Sequence, residues 1–341
     1  MLREGIKWLS LLALACAGMQ RAVNAAPPQR LSDTGLYVAG SASIVRDDVL
    51  PFAPQYPLWS DGAVKRRWIW LPPGTSIDAT QPDAWDFPRG TKLWKEFSQG
   101  RRIETRFIER QADGEWSFAS YVWNAEGSEA TLVPAAGIRA LAVPAAPGGR
   151  YEIPAEADCR ACHEGAPVPV LGFSALQLSK DRDALAPHAD APGAWPDLRS
   201  LTARQLLKNL PPELLAQPPR IAAANSVERA ALGYLHGNCG HCHNDDGPLA
   251  VLDMTLAQRV ARPAAAGDVL RSLGGVPSQF RAAGAPAGAS RVAPGHAAAS
   301  VLALRMNSRD PLQQMPPLGT AVADPQALAL IARWIDGLSV Q

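Results

Sequence analysis

The apolar positions of this chain change period along its length. Between residues 56 and 151, short segments of aromatic and β-branched residues alternate with turn residues. Residues 65–71 (KRRWIWL), 91–98, 101–110 and 115–124 have this character, and in the last of them Trp116, Phe118, Ser120 and Val122 share one face. Pro72-Pro73-Gly74, Pro88-Arg89-Gly90 and Asp113-Gly114 punctuate the segments. Period-two runs bounded by turn signals predict antiparallel strands. Seven of the ten tryptophans fall between residues 59 and 123, a concentration that predicts a β-sandwich core rather than a ligand platform.

Farther along, the period lengthens. Asn225 precedes Glu228 by three residues, the order of a helix cap and its reciprocal acceptor, and Ala230, Ala231, Tyr234 and Leu235 continue at helical spacing. That predicted helix runs directly into Cys239. Asp324-Pro325 opens a second one, with Leu328, Ile331, Trp334, Ile335 and Leu338 forming its apolar stripe. Residues 201–210 (LTARQLLKNL) and 300–305 also read as helix. The expectation is an α+β multidomain chain. An irregular lead-in (26–55) and an antiparallel β-rich domain (56–151) come first, then a connector (152–220), then a mainly α-helical C-terminal domain (221–341).

Residues 1–25 read as a signal peptide. Arg3 and Lys7 precede an apolar run from Trp8 to Gly18, and small residues follow at Val23-Asn24-Ala25. The run is shorter than the roughly 20 apolar residues of a spanning helix. The alternatives are a retained anchor, or a lipoprotein attached through Cys16, although Ala13-Leu14-Ala15-Cys16 lacks a large aliphatic residue at the usual place. No later stretch reads as transmembrane, and the expected location is the periplasm. With 47% hydrophobic and 19% charged residues and a net charge of +1, nothing argues for nucleic acid or a polybasic membrane surface.

Cysteine usage changes the picture most. Beyond Cys16, all the cysteines lie in two pentapeptides, Cys159-Arg160-Ala161-Cys162-His163 and Cys239-Gly240-His241-Cys242-His243. In Cys-x-x-Cys-His two thiols can form thioethers with the vinyl groups of one porphyrin, and the adjacent His becomes the proximal iron ligand. Cys159, Cys162, Cys239 and Cys242 are therefore candidates for covalent attachment of two c-type haems, with His163 and His243 as axial ligands. The competing readings are weaker. A four-thiol zinc site expects about 15–20 residues between pairs, far fewer than here. Disulfides do not explain a His after each pair, and a thioredoxin-like pair wants a βαβ context.

For the second haem, Met315 in Gln314-Met315-Pro316-Pro317 is the candidate sixth ligand, held in a loop from which the prolines exclude helix. Core packing is its alternative role, and Met306 is the rival. The sixth ligand of the first haem stays open among His188, His236, His296, a distant Met such as Met254, or none. An open position would let peroxide reach the iron. A helix into the second motif and a last apolar helix after a Met loop match the layout of a small class I cytochrome.

Several longer motifs resemble a bacterial family of diheme c-type cytochromes. They are PLWSDGA with Lys65 to Thr75, the segments at 87–97, 101–106 (RRIETR) and 121–124 (YVWN), then 153–163, Leu171-Gly172-Phe173, 233–244 (GYLHGNCGHCHN) and 314–320 (QMPPLGT). The resemblance spans residues 50–338. It implies a β-rich N-terminal region, two haems, electron transfer in the cell envelope, and a redox partner such as a quinoprotein dehydrogenase. Some relatives carry a "MPIG" Met after the first motif, where this chain has Val168-Pro169-Val170-Leu171-Gly172. The leading expectation is an electron carrier. A peroxidase-like diheme enzyme and a β binding module stapled by haem are the alternatives. Asp61, Glu104 and Glu109 are expected to be solvated or salt-bridged rather than catalytic.

Overall fold

The computed structural model describes residues 26–339 except 192, 194 and 263; the expected signal peptide and Cys16 lie outside the described residues. The β-rich region forms as expected. Strands β1 (Leu50–Pro51), β2 (Val64–Trp70), β4 (Lys92–Gln99), β5 (Arg101–Arg110), β6 (Trp116–Trp123) and β7 (Ala130–Leu132) make one six-stranded sheet in the order β1-β2-β4-β5-β6-β7. Every pairing in it is antiparallel. Gly100 reverses the chain between β4 and β5 at φ 71°, a conformation that costs glycine little.

The sheet is not one half of a β-sandwich. One face packs Trp68, Trp94, Phe107, Tyr121 and Trp123 against Leu31 and Leu36 of the lead-in. Part of the other face, through Ile69 and Leu93, joins Phe173, Leu178, Leu198 and Leu207 of the connector. Tryptophan is so frequent because it fills both layers. Two small pairs complete the strands: β3 (Ile77–Asp78) with β10 (Leu207–Lys208), and β8 (Ile138–Ala142) with β9 (Arg150–Ile153). The predicted helix at 201–210 is shorter and earlier, α2 (Leu198–Ala203). Gln205 adopts φ 58° and ends it, after which Leu207 pairs with Ile77 and both are buried in one core.

The expected mainly α-helical C-terminal domain does not form. Beyond α1 (Glu156–His163) and α3 (Glu213–Ala216), residues 221–341 show four helices among the described residues. These are α4 (Ser226–Asn238), α5 (Ala265–Leu273), α6 (Val301–Asn307) and α7 (Pro325–Asp336). Regular helix is the minority of this segment. The linking stretches hold Pro248, Pro277, Pro286, Pro294, Pro311, Pro316 and Pro317 among many glycines, and proline denies the helix both a donor and its backbone freedom. A core does exist there, with Leu232, Leu235, Val269, Ile331, Trp334 and Ile335 packed together. No helix among the described residues is long and apolar enough to cross a membrane.

The two predicted caps are present. Asn225 Oδ1 accepts from Glu228 N at 3.0 Å, but Glu228 reaches back one residue farther than expected, to Ala224 N. Asp324 accepts from Ala327 N at 3.1 Å with Pro325 in the first turn.

Candidate functional site

Helix α1 carries the whole first motif. Cys159, Cys162 and His163 stand three and four residues apart, so they share one helix face. The helix is anchored at its start, where Asp158 accepts from Ala155 N at 2.9 Å and Glu156 N donates to Ala135 O at 2.8 Å. It lies on β6, with the Arg160 guanidinium 5.2 Å from the Phe118 ring centre and the His163 ring 5.3 Å from it. His163 Nδ1 lies 2.5 Å from Pro169 O. A carbonyl can only accept, so the proton is on Nδ1 and Nε2 keeps its lone pair, the tautomer required of a metal-binding imidazole. Pro169 lies in the Val168–Gly172 segment, and its carbonyl orients the His163 ring.

The second motif follows α4 without a break. Cys239 caps the helix, and Cys242 N and His243 N both donate to Cys239 O, at 3.1 and 2.9 Å, closing one more turn. His243 is buried, and its Nδ1 has no hydrogen-bond partner. Burial holds both His163 and His243 at a pKa of about 4, with nearby cationic groups adding to the effect. Both imidazoles are neutral at physiological pH.

The separation that sequence spacing left unknown is short: the two motifs touch. Asn244, directly after the second, donates from Nδ2 to Gly165 O at 2.8 Å, and also to Gly240 O and His241 O. A β-carbon on Gly165 would sit 2.8 Å from His241 O, so no larger residue fits without movement. Cys242 Sγ lies 4.0 Å from Ala161 O. The Cys162 and Cys242 thiols are neighbours; that contact, with burial, raises Cys162 to about 12, while the same contact lowers Cys242 against the effect of its burial. Burial pushes Cys239 to about 12 and raises Cys159. None of the four is paired in a disulfide.

Met315 stands in an irregular loop, as its prolines predict. Arg305 grips that loop twice: its carbonyl accepts from Met315 N at 3.0 Å and its Nε donates to Gln313 O at 2.9 Å. The positive charge of Arg305 also reaches His243, which puts the Met loop and the second His around one residue. Met306 is buried among α6 and α7 core residues. His188 lies elsewhere than beside the first motif. Its Nε2 is 2.9 Å from Asp324 and its ring 4.7 Å from Trp59, so only Nδ1 is uncommitted. His236 accepts at Nδ1 from Gln258 N.

Sequence reasoning missed the residues that hold these parts together. Asp61, expected to be solvated or ion-paired, accepts instead from Ala321 N and Val322 N. Trp59 donates from N to Asn238 Oδ1 and from Nε1 to Val322 O. The PLWSDG segment thus clamps the end of α4 to the stretch after the Met loop. Its conspicuous chemistry was the only sequence signal. Glu104 and Glu109 are ion-paired as expected, with Arg106 and Lys92.

Among the described residues no three or more His, Cys, Asp or Glu side chains converge to hold a metal ion. Each motif offers two thiols and one neutral imidazole, the donors that a covalently attached haem would use. No family model, curated protein or solved structure matches this chain.

Proposed function

We propose that this chain is an exported diheme c-type cytochrome that carries electrons in the cell envelope, receiving them from a dehydrogenase. Two complete Cys-x-x-Cys-His motifs packed directly against each other are the observation that carries the reading. Cys159 and Cys162 would hold one haem and Cys239 and Cys242 the other. His163 and His243 would be the proximal ligands, and Met315 the sixth ligand of the second iron.

The haems would supply two one-electron couples; the chain supplies the setting. Pro169 O holds the Nδ1 proton of His163 and keeps Nε2 directed to bonding. Arg305 fixes the loop that presents Met315, a thioether ligand that raises the reduction potential. The Asn244–Gly165 link keeps the two attachment segments together, so an electron need cross only a short gap.

The test is to express the chain with haem-attachment machinery, count haem per polypeptide after denaturation and acidic organic extraction, and record visible and EPR spectra. Two haems that stay with the chain are expected. Colour that leaves with the solvent overturns the reading, and a high-spin signal reacting rapidly with peroxide replaces electron carriage by a diheme enzyme.

A further inference from the structure

The sheet face that receives the first motif carries an unusual row of charge. Register pairs Arg67 of β2 with Lys95 of β4, and Lys95 with Arg106 of β5. Lys65 stands two residues before Arg67 and so on the same face. Arg106 in turn pairs with Ser120 of β6. Phe118, two residues earlier on that strand, faces the same way and packs on His163. The row and the first proximal His thus share one side of the sheet.

Like charges directly opposite on neighbouring strands repel, and a buried charge needs a partner. The neutralising groups are few. Arg106 is bonded to Glu104 at 2.8 and 3.1 Å. Arg67 is buried, and Asp190 lies 3.6 Å away. Lys65 Nζ donates to the carbonyl of Leu58, and Asp190, Asp324 and Asp61 act on it from farther away. Lys95 has no carboxylate or hydrogen-bond acceptor in bonding contact among the described residues; Glu104 acts on it from farther away, and the Phe97 ring lies 4.9 Å away. Ser120 Oγ is buried and unpartnered beside them. Burial lowers Lys65 to about 8 and Arg67 to about 10, and burial with the neighbouring cations holds Lys95 well below its ordinary value. Excess positive charge gathered at a half-buried face calls for an anion.

We propose that the row Arg67–Lys95–Arg106, extended by Lys65, is a carboxylate-binding site, and that its occupants are the two propionates of the haem attached at Cys159 and Cys162. The assignment rests on the diheme reading. A dianionic edge would neutralise the row and give Lys95 a bonded partner. The charge of the row would then tune that haem's potential.

The experiment compares full-length, haem-loaded wild type with Lys95→Met, Lys95→Arg and Lys65→Met, measuring haem per chain, the visible spectrum and both midpoints. The expected result is two haems throughout and one midpoint lowered in Lys95→Met and, less strongly, in Lys65→Met. The other midpoint stays fixed, and Lys95→Arg keeps the wild-type value. Two haems with both midpoints unmoved in both Met variants overturn the proposal and leave the diheme reading intact, whereas a wild type without covalent haem removes the reading itself. A changed axial-ligand spectrum in Lys95→Met makes Lys95 an iron ligand and also overturns it. So does a saturable midpoint shift when acetate or citrate is titrated into wild type and not into Lys95→Met, since a free acid would then be the occupant.

Discussion

The side-chain amide of Asn244 lies 2.8 Å from the carbonyl oxygen of Gly165 and donates to it, joining the residue after one Cys-x-x-Cys-His to a residue just past the other. Asn244 is almost wholly buried. Its Oδ1 accepts from Asp246 N and Gly247 N while its Nδ2 serves three carbonyls. Replacing it with Ala strands several buried backbone groups at once. Asn244→Ala is expected to cost about 2–3 kcal/mol in denaturant unfolding. Asn244→Asp, which keeps the acceptor and loses the donor, should fall between it and wild type.

If each motif carries a haem, as proposed, the two should not titrate independently, because the motifs touch. An oxidised neighbour adds positive charge at short range and makes the next oxidation harder. A chain carrying Cys159→Ser and Cys162→Ser keeps only the second haem. Its midpoint is expected to lie below that of the same haem measured beside an oxidised neighbour. Potentiometric titration checks this; equal midpoints would show that the centres ignore each other.

Met315 offers a more local test. Met315→Leu preserves volume and should change stability by less than about 1.5 kcal/mol. It should nevertheless lower the higher of the two midpoints and abolish the near-infrared sulfur-to-iron band. If the spectrum were untouched while stability fell, Met315 would be a packing residue and Met306, buried in the α6–α7 core, could not replace it without unfolding.

What could be read from the sequence was local in character. Alternation at 115–124 is enough to place β6, and Asn225 and Asp324 cap helices because a short polar side chain beside an apolar stripe satisfies the first free N–H groups. The two Cys-x-x-Cys-His motifs were legible because their chemistry lies within five residues. Contacts that depend on distant segments were not. Nothing in the periodicity of Asp61 says that its carboxylate meets Ala321 and Val322, and nothing in His188 foretells Asp324. The overestimate of helix in 221–341 has the same origin. Apolar spacing marked the helices that form, while the prolines and glycines between them limit how far each extends. The row Arg67–Lys95–Arg106 escaped notice because strand register, not sequence proximity, assembles it.

Asp324 should make stability depend on pH. Its carboxylate accepts from Ala327 N, the start of α7, and from His188 Nε2. Burial alone would raise its pKa, but the His188 bond and the backbone N–H at the cap prevail and lower it below 3.8. The unfolded chain therefore binds the proton more readily. The contribution is fully present above 3.8 and fades as pH falls through the lower folded value. Asp324→Ala is expected to cost about 1–2 kcal/mol near neutral pH. Asp324→Asn retains a capping oxygen but no charge, so its deficit relative to wild type should shrink steadily as unfolding is measured at successively more acidic pH. A deficit that stayed constant down to pH values below the carboxylate range would mean that the cap geometry, and not the ionised group facing His188, supplies the stabilisation.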